Sequence, residues 1–600
     1  MATKSSNLKR LEITYFEGVN SLVGSNISKK EEFEHVENAR STVIGTIEKR
    51  LGYQRLGNEI TSTANFDLFY FNQDTATITG FYRISTVSAA TNIYYLHTNG
   101  TWTVLAGGGA GLSIAAGELF SHTNAEGCLF YVNGTDNNMQ INSNGTTVVE
   151  ATTATGHLYQ SPKARKINYF KDRLYLGDYT NTTRYKNGIM RSSVPLGIVS
   201  LVSGDFTTPA ADDWIDVTDN KYIRKTDTVD IYRGNNKIAD ITIKDKTEDS
   251  IQINAITFVG SYVNLNSADE IWVDGTYTGT KQFRWADNPA SGVDVKEYDT
   301  FKLTGGENDR IKMITNIGNV QMIANTNNIA IWDDYRLENL DLGIGCVSDK
   351  GWVKTLGTLW FVHYTGIYST TGSIPKLMSA KVEKYIDGAT KAGLDACAAG
   401  KKGYSVFFHV GTVTLYKPDG SADKTLTNTV LEYNLRQENW YVHTGIDADI
   451  FQTYIGSTDA DRLQFCGSSG HVYEFLRKKG DDTSTDIPMM ITTTPITLAK
   501  EFEKISYPKE IIIEMDQGNT MKAFVSLDGA PFYEIQGEAN KGCTILKVTN
   551  KDEDKEKPPR CRNIRISFRE FSGVLCRVLR IAIIYAESEE EEEFKPSYGE

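Results

Sequence analysis

Apolar positions in this chain come in short runs separated by turn residues, without the wider spacing of amphipathic helices. Between Gly305 and Gly372 the sequence reads GGENDRIKMITNIGNVQMIANTNNIAIWDDYR and then DLGIGCVSDKGWVKTLGTLWFVHYTGIYSTTG. The pattern predicts strands at 311–314, 320–324, 329–332, 359–362 and 366–369. Short, evenly spaced strands with Gly, Asn and Asp between them mark sandwiches, barrels and propellers. Residues 68–71, 79–84, 93–96 and 101–105 repeat the pattern, four strands to a set, as in one propeller blade. Further runs follow at 128–132, 139–142, 147–150, 166–170, 173–176 and 182–185, and IMRSSVP at 189–195 closes the stretch.

The pattern changes over 196–285. Runs at 214–217 (WIDV), 228–233 (TVDIYR), 238–243 (IADITI), 250–256 and 270–273 alternate, with Asp216, Asp230 and Asp240 at polar positions. They predict a small β-barrel or sandwich inserted between blades. Blades resume over 286–480, with a hairpin 404–409/412–416 turning at Val410–Gly411 and strands at 429–434, 440–443, 461–467 and 471–475. Residues 376–392 are the one stretch with partly helical character, weakened by Gly388. Residues 481–586 predict a sandwich-like region with strands at 510–515, 522–527, 543–548, 563–568 and 578–585. Its first strand, 488–494, either belongs there or completes the last blade. Residues 1–60 form an N-terminal arm that docks on a neighbour or lies as a solvated strand, and 587–600 an acidic tail. The expected fold is all-β: a β-propeller of about six blades with an inserted β domain and a C-terminal β region. No fixed-period repeat motif accompanies it.

Composition narrows the function classes. Tyr 31, Phe 25 and Gly 51 against Pro 13 suit strands joined by tight turns. No apolar run reaches membrane-span length, and MATKSSNLKRLEITYF lacks a signal-peptide core, so synthesis in a cytoplasm is expected. The 7 cysteines (Cys128, Cys346, Cys397, Cys466, Cys543, Cys561 and Cys576) are scattered without a CxxC pair, which argues against a disulfide framework or zinc site. The Asn-Gly sequons near Asn99, Asn133 and Asn144, and that at Asn181, then carry no glycosylation meaning. A net charge of −13 does not advertise a nucleic-acid-gripping face.

Catalytic signatures are absent: there is no GxSxG, HExxH, Walker or EF-hand pattern. GGGAG at 107–111 lacks the flanking βαβ unit of a phosphate cradle. His409, His443 and His471 lie near late strands; a shared metal would need them to converge, and ordinary strand-end histidines need nothing more. Ser526–Leu527–Asp528–Gly529 with Phe532, and the Asp419–Gly420 pair, echo glycosidase turn motifs but are favoured hairpin turns. No enzyme activity and no cofactor are expected. In RNIRISFRE the apolar Ile564, Ile566 and Phe568 alternate with Arg565 and Arg569, giving one apolar and one cationic strand face. With Arg562, that face suits an acidic neighbouring subunit, plain solvent, or DNA phosphate.

Several phrases, spread from about residue 45 to 585, resemble the nozzle or tail-hub β-propeller proteins of short-tailed bacteriophages, also called tail tubular or DNA-stabilisation proteins. EKRLGYQRLG is similar to their N-terminal Lys-Arg-x-Gly stretch, with Leu51 where Pro is common. ARKINYFKDRLYLG with RSSVP resembles an early blade, the two phrases between Gly305 and Gly372 the next two, and LEYNLRQENWYVHTG and LQFCGSSGHVYEF the late ones. The resemblance implies a virion component: a homo-oligomeric ring, expected as a hexamer, below the portal and adaptor rings and in contact with tail-fibre or tail-tip proteins. Genomic DNA would pass its channel without sequence-specific binding, and an acidic lumen would limit sticking. Lys49, Arg50, Arg562, Arg565 and Arg569 are the subunit-contact candidates. Two other classes stay open: a carbohydrate-binding or carbohydrate-cleaving propeller, and a non-enzymatic receptor-binding β protein.

Overall fold

The structure is a computed structural model. It describes residues 8–589 apart from 22–28, 44, 61–63, 72–77, 88–89, 106–118, 152–156, 159–160, 181–183, 193–197, 219–222, 224, 226, 235, 248, 274–282, 284–299, 304–307, 418, 456–460, 469, 477–480, 484, 499–503, 519, 550–558 and 573. The GGGAG loop, the sequon at Asn181 and nearly all of the acidic tail lie outside the described residues. The fold is all-β: among the described residues 60% lie in strands and 3% in helices. Among the described residues it contains six separate four-stranded antiparallel sheets and a further four-strand meander within a ten-stranded sheet. Four-stranded meanders repeated in this way are the blades of a β-propeller. The chain divides into one unit of residues 1–59, 350–370 and 375–600 and another of residues 60–349 and 371–374.

In the unit of residues 60–349, the first blade is Ala64–Tyr70, Ile78–Val87, Ala90–His97 and Trp102–Val104. The second is Ser121–Ala125, Cys128–Val132, Met139–Ile141 and Val148–Glu150. Successive blades share apolar cores: Phe69, Tyr82 and Ile84 pack with Leu129, Tyr131 and Ile141, and Phe130 and Val132 pack with Ile167, Leu174 and Leu176. The opening strands of neighbouring blades run side by side. Thr123 Oγ1 accepts from Tyr169 N at 3.2 Å, and Asn316 Nδ2 donates to Tyr169 O at 2.7 Å. Side chains thus satisfy backbone groups that no strand ladder reaches.

The inserted domain interrupts a blade rather than separating two. Lys163–Phe170, Arg173–Thr180 and Arg184–Arg191 take Thr300–Lys302, from beyond the insert, as their fourth strand. The insert is a six-stranded sheet. Ser203 N donates to Asp216 O at 2.7 Å and Thr218 N to Leu201 O at 2.9 Å, which brings the first strand of the sheet, Ile198–Leu201, onto its last, Trp214–Asp216. Of the two expected forms, barrel or sandwich, the structure is therefore the barrel. Ile215, Val229, Ile231, Ile241, Ile251 and Ile271 fill it.

In the other unit, Ser405–Tyr416 is one strand, not the expected hairpin. Two register shifts around Gly411 against Ala422–Asn434 absorb the irregularity, and Gly411 sits at φ +77. Such a bulge lets a strand bend without reversing. The reversal comes later, where Gly420 N donates to Lys417 O at 2.9 Å. The partly helical stretch resolves into the short helices Glu383–Asp387 and Lys391–Asp395. Gly388 and Gly393 let them approach that strand: a Cβ at Gly388 would stand 2.3 Å from Thr414 O.

The last blade, Ile450–Ile455, Asp461–Cys466 and Val472–Phe475, is completed by the N-terminal strand Gln54–Leu56 and not by 488–494. Met489–Thr493 pairs instead with Phe33–Glu37 and Asn563–Glu570. Phe33–Glu37 also pairs in parallel with Asn439–His443 through Glu37 and Val442. Lys9–Ile13 and Ile47–Lys49 both pair with Arg577–Glu589. The expected docking arm is therefore sheet structure of its own chain. Its apolar residues explain why, since Phe16, Val19, Phe33 and Val36 are buried. Val19 N donates to Trp440 O at 2.8 Å, and a Cβ on Gly18 would meet that same oxygen at 2.2 Å. Gly18→Ala is expected to lower stability by about 1–3 kcal/mol through overpacking, read as a lower thermal midpoint; an unchanged midpoint would mean the arm does not seat there.

Candidate functional site

The charged residues of the arm converge with partners far along the chain. Glu37 accepts from the Lys424 ammonium, from Thr444 Oγ1 at 3.0 Å, and lies 3.3 Å from His35 Nε2. His35 Nδ1 shares a 2.8 Å hydrogen bond with the Tyr385 hydroxyl. Asn38 Oδ1 accepts from Arg50 Nε and Thr444 N, both at 2.9 Å. Arg40 pairs with Glu432 at 2.8 Å, and Glu432 bonds His443 Nε2 at 2.7 Å. Burial opposes ionisation of Glu432, but Arg40 and His443 outweigh it and bring the carboxyl down to about 2. Burial likewise opposes Glu37, and His35 and Lys424 bring it to about 2.

Lys49 and Arg50, expected at a subunit contact, are engaged inside the chain. Lys49 Nζ lies 2.6 Å from Glu570, with side-chain exposures of 0% and 1%. Arg50 forks onto Asp482, its Nη1 donating at 2.9 Å, and its side chain is 0% exposed. A charge taken out of water needs such a partner, so neither is available to a neighbour. Asp482, Glu432 and Glu570 escaped sequence reading because strand patterning gives no signal for partners hundreds of residues away.

The Asn563–Glu570 strand has the alternation read from RNIRISFRE: Ile564, Ile566 and Phe568 are buried. Its cationic face is largely occupied. Arg565 pairs with Glu34 of the arm at 3.1 Å and lies over Phe532, and Arg569 lies 4.3 Å over Phe524. The acidic partner expected from a neighbour is thus supplied to Arg565 by the same chain. The Arg562 amide donates to Asp528 Oδ1 at 2.9 Å, in the turn after Met521–Leu527.

The three late histidines have separate partners or surroundings. His443 bonds Glu432, His471 lies 3.7 Å from Glu59, and burial pushes His409 down to about 4. Among the described residues no group of three or more His, Cys, Asp or Glu is placed to hold a metal ion. Asp528 and Gly529 lie at φ 45 and 81, the left-handed pair that a tight hairpin turn requires. On the barrel, Asp230 and Asp240 are cross-strand partners bridged by Lys237 at 3.0 and 2.6 Å. Burial, and then Asp240, push Asp230 up to about 6. With Lys237 between the carboxylates, the trio is an ion cluster on a sheet face.

The barrel also carries a shallow apolar groove. Pro209, Ala210 and Ala211 form one wall, Ala255, Ile256 and Phe258 the other, and Val263 stands at its end. Val263 is 55% exposed, and Trp214 and Val259 are 41% exposed. Sequence reading placed residues 250–256 on a half-buried strand and missed this outward apolar surface. Its one available signal was Ala255–Ile256, where the alternation breaks.

No family model and no curated protein matches the chain. Solved structures similar to it include YCF48 from Cyanidioschyzon merolae, with 8% identity over 71% of this chain and 98% of that one and a TM-score of 0.32. BamB from Moraxella catarrhalis shows 10% identity over 69% of this chain and 98% of that one, with a TM-score of 0.26. Saccharomyces cerevisiae Sqt1 shows 10% identity over 72% and 99%, with a TM-score of 0.30. Among the described residues no helix is long and apolar enough to cross a membrane.

Two outcomes follow from the arm's ion pairs. Lys49→Met is expected to cost about 3–5 kcal/mol by stranding buried Glu570, while Lys49→Met/Glu570→Met recovers most of it; additive losses in denaturant melts would contradict a coupled pair. Glu37 and Glu432 have folded pKa values below the unfolded ones, so their stabilisation is complete above the ordinary carboxyl value near 4.5 and is lost as pH falls toward 2. Limited proteolysis within residues 29–50 should therefore rise across that window, and a flat profile would contradict the assignment.

Proposed function

We propose that this chain is a structural, non-enzymatic component of a short-tailed bacteriophage virion. It is a nozzle or tail-hub protein made in the host cytoplasm, whose copies form a ring, as a hexamer, around the channel for genomic DNA. The phrases between Glu48 and Phe475 that resemble such proteins support this reading. The observation that carries it is the outward apolar groove on the inserted barrel, on a chain whose arm is already locked into its own sheets. An apolar surface set on a rigid frame suits protein contact, whereas the acid pair at Asp230 and Asp240 is closed by Lys237 and offers no open carboxylate pair for glycan cleavage. The net charge of −13 suits DNA that must pass without adhering.

The decisive experiment is the mass and symmetry of the purified protein, alone and mixed with the virion's adaptor ring, by native mass measurement and electron microscopy. A closed ring with an open axial hole on the adaptor is expected. A monomer or trimer that ignores the adaptor, together with binding in a glycan screen, would overturn the proposal in favour of a carbohydrate-directed protein.

A further inference from the structure

We propose that the seam between the arm and the C-terminal half of the chain is an acid-sensitive latch, held closed by two neutral histidines, His35 and His443, and opened when they take up protons. The inference does not depend on the ring reading.

The seam contains the same three-group arrangement twice. Glu37 is held between the His35 imidazole, 3.3 Å away, and the Lys424 ammonium. Glu432 is held between His443 Nε2 at 2.7 Å and the Arg40 guanidinium at 2.8 Å. In each trio one carboxylate and one cation already cancel. A neutral imidazole leaves the trio uncharged, and a protonated one leaves a net positive charge away from water. The His443 and Glu432 side chains are 0% exposed, and those of His35 and Glu37 are 10% and 11% exposed. Burying an uncompensated charge is strongly unfavourable.

The hydrogen bonds favour the neutral rings as well. With the proton of His443 on Nε2, donated to Glu432, its Nδ1 is a bare lone pair that no group among the described residues meets. Protonation would place a buried N–H there with nothing to accept it. With the proton of His35 on Nε2, toward Glu37, its Nδ1 accepts from the Tyr385 hydroxyl at 2.8 Å. Tyr385 is 0% exposed, and a proton on Nδ1 would strip its hydroxyl of this acceptor. A buried polar group without a partner carries its full desolvation cost.

The charges around each ring act in the same sense. Lys384, on the helix Glu383–Asp387, and Lys424, on Ala422–Asn434, face His35; Lys384 Nζ donates to Glu34 O at 2.9 Å, and the Glu34 carboxylate is paired with Arg565. Arg40 and Arg50 of the arm face His443, and Arg50 has Asp482 as its own partner. Burial above all, and then these cations, outweigh Glu37 and Glu432 and hold both imidazoles below the ordinary value of 6.5.

Opening the seam puts each ring in water, where it protonates at that ordinary value. Both closed-state values lie below it, so the latch holds above 6.5 and weakens as pH falls. One proton taken up per ring raises the opening constant about tenfold per pH unit in that range, and two rings raise it about a hundredfold. This window lies above that of the carboxylates, whose contribution is lost only below about 4.5.

The test is amide exchange of the full-length protein across Phe33–Glu37 between about pH 7 and pH 5, each rate divided by the intrinsic rate at that pH. Wild-type protection is expected to fall about a hundredfold per pH unit below 6.5. His35→Gln and His443→Gln should each reduce that slope to about tenfold, and the double variant should be flat. Should the glutamine variants fail to fold, the imidazole nitrogen resonances of the wild-type protein decide, with neutral-ring shifts expected to persist below 6.5. Flat wild-type protection, an unchanged slope in the double variant, or imidazoles that titrate at 6.5 in the folded protein would each overturn the latch.

Discussion

Burying charge inside a β protein is costly unless each charge meets its counterpart, and the arm of this chain is organised by that constraint. Lys49 with Glu570, Arg50 with Asp482, Arg40 with Glu432, and Glu37 with Lys424 all join residues 37–50 to segments beyond residue 420. The apolar residues on either side supply the driving force for docking. The ion pairs select where it docks, because a slip by one residue would strand several charges at once. The strand Phe33–Glu37 sits between Asn439–His443 and Met489–Thr493, so a blade and the C-terminal β region share one continuous sheet through it.

The same arm then completes the last blade with Gln54–Leu56. Backbone hydrogen bonds of that edge strand thereby join the arm to the blade of residues 450–475. The blade cores rely on shared apolar faces, and the insert keeps a separate core of its own. This division leaves the barrel free to carry an outward apolar surface that the blades do not need for stability.

Much of this was legible in the sequence, and the misses have common causes. Val320–Ala324, Ile329–Trp332, Cys128–Val132, Thr228–Arg233 and Glu270–Val273 match the strands read from alternation and turn residues. Val410–Gly411 reads as a turn in the sequence, yet a bulge uses the same glycine and Ser405–Tyr416 runs through as one strand. The insert reads as lying between blades because the short strand Thr300–Lys302, separated from its blade by the whole insert, carries no local sign of its partner. Lys49 and Arg50 are subunit-contact candidates by sequence, yet both side chains are buried. Nothing near them in sequence indicates Glu570 or Asp482, and only three-dimensional pairing identifies them as buried.

Amide hydrogen exchange across Phe33–Glu37 and Ile47–Lys49 tests most directly the claim that the arm is a buried seam of its own chain. Protection in the unassembled protein equal to that of the central strand Ser405–Tyr416 is predicted. Rapid exchange in the free protein, with protection appearing only on assembly, would contradict the claim and make the arm a partner-docking element.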